Sequence, residues 1–203
     1  AGVVRHGTIG ATPPMPAPPT LAAAELDALV AGRHRDPFGV LGPHATADGV
    51  VVRAFRPGAS AMTLIEHPAG TRHAMAALHP AGVFAVALPA GPVPDYRLEI
   101  TDAHSLTDLV DDPYRYGPIF GELDAHLLAE GTHYRAYDAL GARLVSHGGT
   151  PGVHFAVWAP NAARVSVVGD FNDWDGRTHP MRLIANAGVW EIFLPRLAAG
   201  PRY

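Results

Sequence analysis

The chain repeats itself, and that repeat limits its fold more than any other feature. Gly49-Val-Val-Val-Arg-Ala-Phe-Arg-Pro57 aligns with Gly152-Val-His-Phe-Ala-Val-Trp-Ala-Pro160 at an offset of 103. Ala81-Gly-Val-Phe-Ala-Val-Ala-Leu-Pro89 aligns with Ala187-Gly-Val-Trp-Glu-Ile-Phe-Leu-Pro195 at 106, and Pro94-Asp95-Tyr96 meets Pro201-Arg202-Tyr203 at 107. Loops of unequal length produce such a drift, so the pattern defines two copies of one unit. The unit reads as strands. Residues 50–55, 62–66, 82–88 and 96–100 are short runs rich in β-branched, apolar and aromatic residues, broken by Pro and Gly. Gly 22 and Pro 20 together make about 21% of the 203 residues, against ~12% on average, so turns are dense. The expectation is an all-β chain of two tandem immunoglobulin-like sandwiches.

The rest of the chain divides around these copies. Residues 1–19 hold five prolines (Pro13, Pro14, Pro16, Pro18, Pro19) and read as a flexible tail. Residues 20–33 predict a short helix over 21–31, capped by Thr20, with Leu26, Leu29 and Val30 on one face and Gly32 as its stop. The first sandwich is assigned to 34–117, a helical joint to 118–142 and the second sandwich to 143–203. In the joint, Leu123, Leu127 and Leu128 precede Thr132, a second expected cap, for a helix over 133–140 ending at Gly141. Against the first copy as a ruler, the second stops early, at the counterpart of Tyr96, and is expected to lack a strand and its closing segment. A chain that starts at Ala1 reads as a processed product or a piece of a longer protein.

Several functions are excluded or disfavoured. The net charge of −4 does not offer a phosphate backbone a basic stripe, so nucleic acid is not expected as a partner. No run of 18 apolar residues exists to span a membrane. The absence of Cys removes disulfides, thiolate zinc sites and thiol nucleophiles, and fits a cytoplasmic protein. The twelve His residues form no metal-binding helical pair and read as solvated surface. Asp170, Asn172, Asp173 and Asp175 miss the EF-hand spacing, with Trp174 at its fifth position. Asp111-Asp112-Pro113 reads as the start of a turn rather than a shared-proton dyad. No phosphate loop or nucleophile elbow appears. No catalytic residue, metal or cofactor is therefore expected.

Subtracting one copy from the other isolates a candidate site. Trp158 matches Phe55 and Trp190 matches Phe84, and aromatics at shared positions are expected in the core. Gly169-Asp-Phe-Asn-Asp-Trp-Asp-Gly-Arg177 is different, because the matching stretch of the first copy carries no aromatic. Trp174 in this polar loop offers a flat apolar platform to the C–H face of a pyranose, with Asn172 and Asp173 beside it for the hydroxyls. A second reading stands next to this one: Trp174 folds over its sheet edge, or packs on another domain.

Four segments resemble the amino-terminal region of bacterial 1,4-α-glucan (glycogen) branching enzymes. They are His34-Arg-Asp-Pro-Phe-Gly-Val-Leu-Gly-Pro-His44, Gly121-Glu-Leu-Asp-Ala-His-Leu-Leu-Ala-Glu-Gly-Thr-His133, Val157-Trp-Ala-Pro-Asn-Ala162 and Gly169-Asp-Phe-Asn-Asp-Trp-Asp-Gly-Arg-Thr-His-Pro-Met-Arg182. The resemblance implies two β-sandwich modules ahead of a (β/α)₈ barrel that cleaves an α-1,4 linkage and rebuilds it as an α-1,6 branch. It implies a glycogen-binding type of module in the second sandwich, with its platform on Trp174. The expected partners are α-1,4-glucan or glycogen and the catalytic barrel of the same polypeptide. A barrel needs roughly 250 residues of its own, so its nucleophile and acid/base have no position here. Two alternatives remain: a purely structural or regulatory module, or the front of a debranching enzyme.

Overall fold

A computed structural model describes residues 20–203; the tail expected over 1–19 lies outside them. The chain begins with α1 (Ala23–Val30) and a 3-10 turn at Pro37–Gly39. The first sandwich follows as β1 (Gly42–Thr46), β2 (Gly49–Phe55), β3 (Ala59–His67), β4 (Arg72–Ala74), β5 (Ala76–His79), β6 (Val83–Leu88), β7 (Asp95–Asp102) and β8 (Thr107–Val110). A 3-10 turn at Pro113–Arg115 leads to α2 (Glu122–Ala129) and another 3-10 turn at Ala136–Asp138. The last strands are β9 (Gly141–His147), β10 (Thr150–Trp158), β11 (Arg182–Ile184) and β12 (Val189–Pro195).

The strands form three antiparallel sheets, ordered β1-β2-β6-β5, β4-β3-β7-β8 and β11-β12-β10-β9. The first two face each other as a sandwich. Val50, Val52 and Ala54 of β2 and Phe84, Val86 and Leu88 of β6 pack against Met62, Leu64, Tyr96 and Leu98 of the opposite sheet. All seven residues of β2 are buried, because its other face is covered too. Phe55 and Val83 lie there under Leu29 of α1 and under Val40, Leu41 and Tyr114. A strand covered on both faces cannot alternate polar and apolar residues, which explains the unbroken Val-Val-Val run.

The third sheet copies the first. Ala54 opposes Phe84 and Phe55 opposes Val83 in one unit; Val157 opposes Trp190 and Trp158 opposes Val189 in the other. These are the pairs that the 103 and 106 offsets prescribe, so the repeat is a repeat of register. The copy extends further back than the strands. Ala23–Val30 and Glu122–Ala129, Pro37–Gly39 and Ala136–Asp138, and Gly42 and Gly141 all stand 99 residues apart. The helix ends match bond for bond: Arg33 N–H donates to the Ala28 carbonyl as Thr132 N–H donates to that of Leu127. Each unit is therefore a helix, a 3-10 turn and a sheet, with the helix closing the outer face of its own sheet. The β9–β10 hairpin is four residues longer than β1–β2, which moves the offset to 103.

Several expectations are corrected. Thr20 does not cap α1; the helix starts at Ala23, with Ala22 in the capping position and no side-chain bond. Thr132 caps no helix either. Its hydroxyl donates back to the Leu127 carbonyl at 3.4 Å, closing α2, and of 133–140 only Ala136–Asp138 turns helically. Trp190 is buried in the core, but Trp158 is 56% exposed where its counterpart Phe55 is 7%. The His residues are not all solvated surface: His154 is 3% exposed, and His133 reaches Asp124 at 2.9 Å. The second unit forms no counterpart of the β4-β3-β7-β8 sheet among the described residues.

Candidate functional site

The Trp174 loop occupies the tip of an interrupted hairpin. In the first unit Met75 N–H donates to the Met62 carbonyl; in the second Met181 N–H donates to that of Val165. Those pairs are 13 and 16 residues apart, so three extra residues fall in this loop. The ladder pairing Thr63 with Ala74 and Leu64 with His73 is matched by a lone bridge between Ser166 and Pro180 and a bond from Val167 N–H to the His179 carbonyl at 3.1 Å. There the second unit leaves the ladder. Gly169 forces the departure to be tight, since a Cβ on it would lie 2.4 Å from the Arg202 carbonyl oxygen and 2.6 Å from the Phe171 ring.

Asn172 holds the loop from inside. It is 2% exposed. Its Oδ1 accepts from Gly169 N–H, and its Nδ2 donates to the Val167 carbonyl and to His179 Nδ1, each at 2.9 Å. The carboxamide replaces the missing hairpin rungs and has no donor left for a sugar. Its sequence assignment as a hydroxyl partner is corrected to a loop-shaping role. Burial drives the His179 imidazole well below its ordinary pKa, with the nearby Arg56 charge adding to the effect; it stays neutral and can accept from Asn172.

Outside this brace, Asp173 and Trp174 both have φ in the left-handed region, at 54° and 59°. Such residues are uncommon without Gly and concentrate where a side chain must be presented at a set angle. The indole is 52% exposed. Its Nε1–H donates to Asp170 Oδ1 at 3.2 Å, and Asp170 is also bound by the Arg202 guanidinium at 3.2 Å. Arg202 and the indole together hold the Asp170 carboxyl below its usual range. Trp174 is thus steered by its rim while about half of it stays exposed. Asp173 is exposed and lines a groove of about 460 Å³ with Pro57, Gly58, Asp102, His104 and Thr107 of the first sandwich. The structure therefore places Trp174 and Asp173 at the surface and Asn172 behind them.

The two units meet through the turn that Asp111-Asp112-Pro113 starts and through Glu191, to which the sequence assigns no role. Asp112, 2% exposed, accepts from Tyr96 Oη–H at 2.6 Å and from Tyr114 N–H at 2.9 Å. Burial raises its pKa to about 6, against the pull of those two bonds and of Arg115. Tyr114 stands edge-on to Phe38, centroids 4.8 Å apart, and its hydroxyl donates to the Thr178 carbonyl of the second unit at 3.3 Å. Asp111 joins Arg97 at 3.3 Å to Arg196 at 2.6 Å. Glu191, 1% exposed, receives the N–H groups of Ile119 and Phe120 and lies 2.8 Å from His154 Nε2. Burial alone would raise its pKa; the His154 and backbone bonds outweigh that and hold it below the usual value. Its counterpart is Ala85 and that of His154 is Val51, so subtracting the copies would have exposed this pair. Among the described residues no cluster of His, Asp and Glu is arranged to hold a metal, and no helix is long and apolar enough to cross a membrane.

The architecture and the loop define a class: a β-sandwich followed by a second unit built on a copy of its first sheet, the second matching the model of carbohydrate-binding module 48 (isoamylase N-terminal domain) over residues 139–203. The first unit matches the N-terminal domain of the alpha-1,4-glucan branching enzyme GlgB over residues 22–114. The chain thus carries two non-catalytic domains of the kind found at the front of branching enzymes. It is 51% identical over 183 residues to the 1,4-alpha-glucan branching enzyme GlgB of Paramagnetospirillum magneticum, covering 90% of this chain and 24% of that protein. It is 53% identical over 181 residues to GlgB 2 of Rhizobium johnstonii, covering 88% and 24%. For GlgB of Cupriavidus pinatubonensis the identity is 48% over 190 residues, covering 94% and 25%. The chain thus spans about a quarter of the length of these relatives.

Proposed function

We propose that this region holds α-1,4-glucan for a branching enzyme, with Trp174 as the stacking platform and Asp173 as a hydroxyl acceptor at its edge, and that it packs on the enzyme's catalytic barrel in the cytoplasm. The observation that carries the reading is the presentation of the indole. It is half exposed on a left-handed pair of residues, in the loop that gained three residues over its own duplicate. The buried brace of Asn172 behind it is what a preset platform needs, because a loop ordered before binding does not lose that entropy on binding.

The site is weak by itself. Stacking hides about 100 Å² of apolar surface, worth ~2.5 kcal/mol, and one hydrogen bond donated by a sugar hydroxyl to Asp173 adds ~1 kcal/mol. The sum corresponds to a Kd of a few millimolar; retention on polymeric glucan then comes from several units being engaged along one chain. Affinity electrophoresis through a glycogen-containing gel tests the proposal. The native chain should be retarded and Trp174→Ala should run freely. Equal retardation of the two, with the variant shown to be folded, would remove the platform.

A further inference from the structure

The duplication also shows what is uncovered in the second unit. In the first, Phe38, Gly42 and Phe55 form a seat for the turn Asp112-Pro113-Tyr114. The Tyr114 ring lies against Phe38, Phe55 and Tyr114 share one buried cluster, and a Cβ on Gly42 would come 2.6 Å from the Tyr114 carbonyl oxygen. Tyr96, fully buried, fixes the turn by donating its hydroxyl to Asp112. The counterparts are Tyr137, Gly141, Trp158 and Tyr203. Tyr137 is 73% exposed, Trp158 56% and Tyr203 66%, and nothing lies within 4 Å of a Cβ built on Gly141. The floor of the seat is nevertheless intact: Ala139 and Val189, the counterparts of Val40 and Val83, are buried together. Four positions covered in one unit are open in the other, and the Tyr114 turn touches all four, with Leu29 of α1 also over Phe55 and the Arg182 guanidinium also over Phe38.

We infer that the face of the second unit formed by Tyr137, Gly141 and Trp158 receives an Asp-Pro-aromatic turn from the polypeptide that follows the second sandwich in the whole enzyme, with Tyr203 donating to its Asp. The inference rests on the reading of this chain as the front of a longer branching enzyme. The repeat fixes where the turn lies. Tyr96 and Asp112 are 16 residues apart, so the receiving Asp should follow Tyr203 by about that number, allowing for the few residues of loop drift between copies. The seat is apolar and flat apart from the tyrosine hydroxyls. It fits the ring of a Tyr or Phe and the pyrrolidine of the Pro better than a charged segment.

Photocrosslinking and hydroxyl-radical footprinting, on this chain and on the full-length enzyme that contains it, test the seat. A benzophenone amino acid at position 137 of the full-length enzyme should crosslink to a segment about 16 residues beyond Tyr203, as the repeat sets the separation. Oxidation of Trp158 should be about eightfold slower there than in the 203-residue chain, the ratio between the exposures of Trp158 and Phe55. Trp158→Arg should lower the melting temperature of the full-length enzyme and leave that of the 203-residue chain unchanged. The inference is overturned by unchanged Trp158 oxidation, by a crosslink to the barrel instead, or by Trp158 protection in the short chain that grows with its concentration. Glycogen retardation of the Trp174 variant reads the proposed function separately, since Trp174 is not part of this seat.

Discussion

Replacing Asn172 with Ala should cost the second unit about 3 kcal/mol and abolish glycogen retention while leaving Trp174 in the sequence. The magnitude follows from what the carboxamide satisfies. It binds Gly169 N–H, the Val167 carbonyl and His179 Nδ1, all at 2.9 Å, and both Gly169 and Val167 are buried. Each buried backbone group left unpaired costs ~1–3 kcal/mol, and the His179 imidazole, held neutral by its burial, loses its donor as well. With a denaturant slope of ~2 kcal/mol per molar, the urea midpoint of the second unit should fall by about 1.5 M. Asn172→Asp separates the donor from the acceptor. The carboxylate still accepts from Gly169 but faces the Val167 carbonyl with no hydrogen, so it should be at least as harmful as Ala at neutral pH and partly rescued in acid. Urea unfolding followed by tryptophan fluorescence, with hydrogen exchange at Gly169, reads both variants. A loss under ~1 kcal/mol for Asn172→Ala, with the Gly169 amide still protected, would show that the loop is held by something else.

Further predictions concern the core and the joint. Trp190→Ala should unfold the second unit, at a cost of ~3–5 kcal/mol, so its loss of glycogen retention should track its loss of near-ultraviolet dichroism, unlike Trp174→Ala. Glu191→Ala should cost ~3–5 kcal/mol by leaving His154, 2.8 Å away, and the Arg182 guanidinium, 3.6 Å away, without their buried carboxylate, and should speed hydrogen exchange first at Ile119 and Phe120; unchanged exchange there would refute its anchoring role. Asp112 titrates near 6 when folded, against 3.8 as its ordinary value. The folded protein binds the extra proton in that window, so stability should fall as the pH rises from about 4 to about 6, by on the order of 3 kcal/mol from this group. Asp112→Asn should flatten that slope in urea titrations; an unaltered slope would assign it to another group. Hydrogen exchange should also show 165–168 opening more readily than 50–55, since the former makes one bridge and the latter lies in a fully paired, doubly covered strand.

The sandwich units were legible because a repeat constrains pairing as well as strand content: the two offsets carry the β2–β6 register onto β10–β12. Trp174 was legible because it lacks a counterpart. Trp158 was misread by the same logic. Phe55 is covered by α1 and the Tyr114 turn, and matching the aromatic did not ensure that the cover was present on both. Asn172 was misread for a different reason. A carboxamide in a polar loop is as fit to brace backbone as to bind sugar, and only the depth of the loop decides which. The 99-residue offset joining α1 to α2 could have been found from Gly-x-His-x-x-x-(Phe/Tyr)-x-x-Leu-Gly, shared by Gly32–Gly42 and Gly131–Gly141. Reading those segments as a tail helix and a linker hid it.

That offset shifts where one unit ends and the next begins. A cut placed at residue 139, where the carbohydrate-module match starts, separates the second sheet from α2, although Ala125 of α2 packs with Ala156 and Val189 of that sheet. A fragment excised there would show solvent a greasy sheet face and would gather with its own kind; one begun at Gly121 would bring its lid along. The helix ahead of the module match is the first element of the domain that follows it, and any swap of glucan-binding modules between relatives should carry it across the splice.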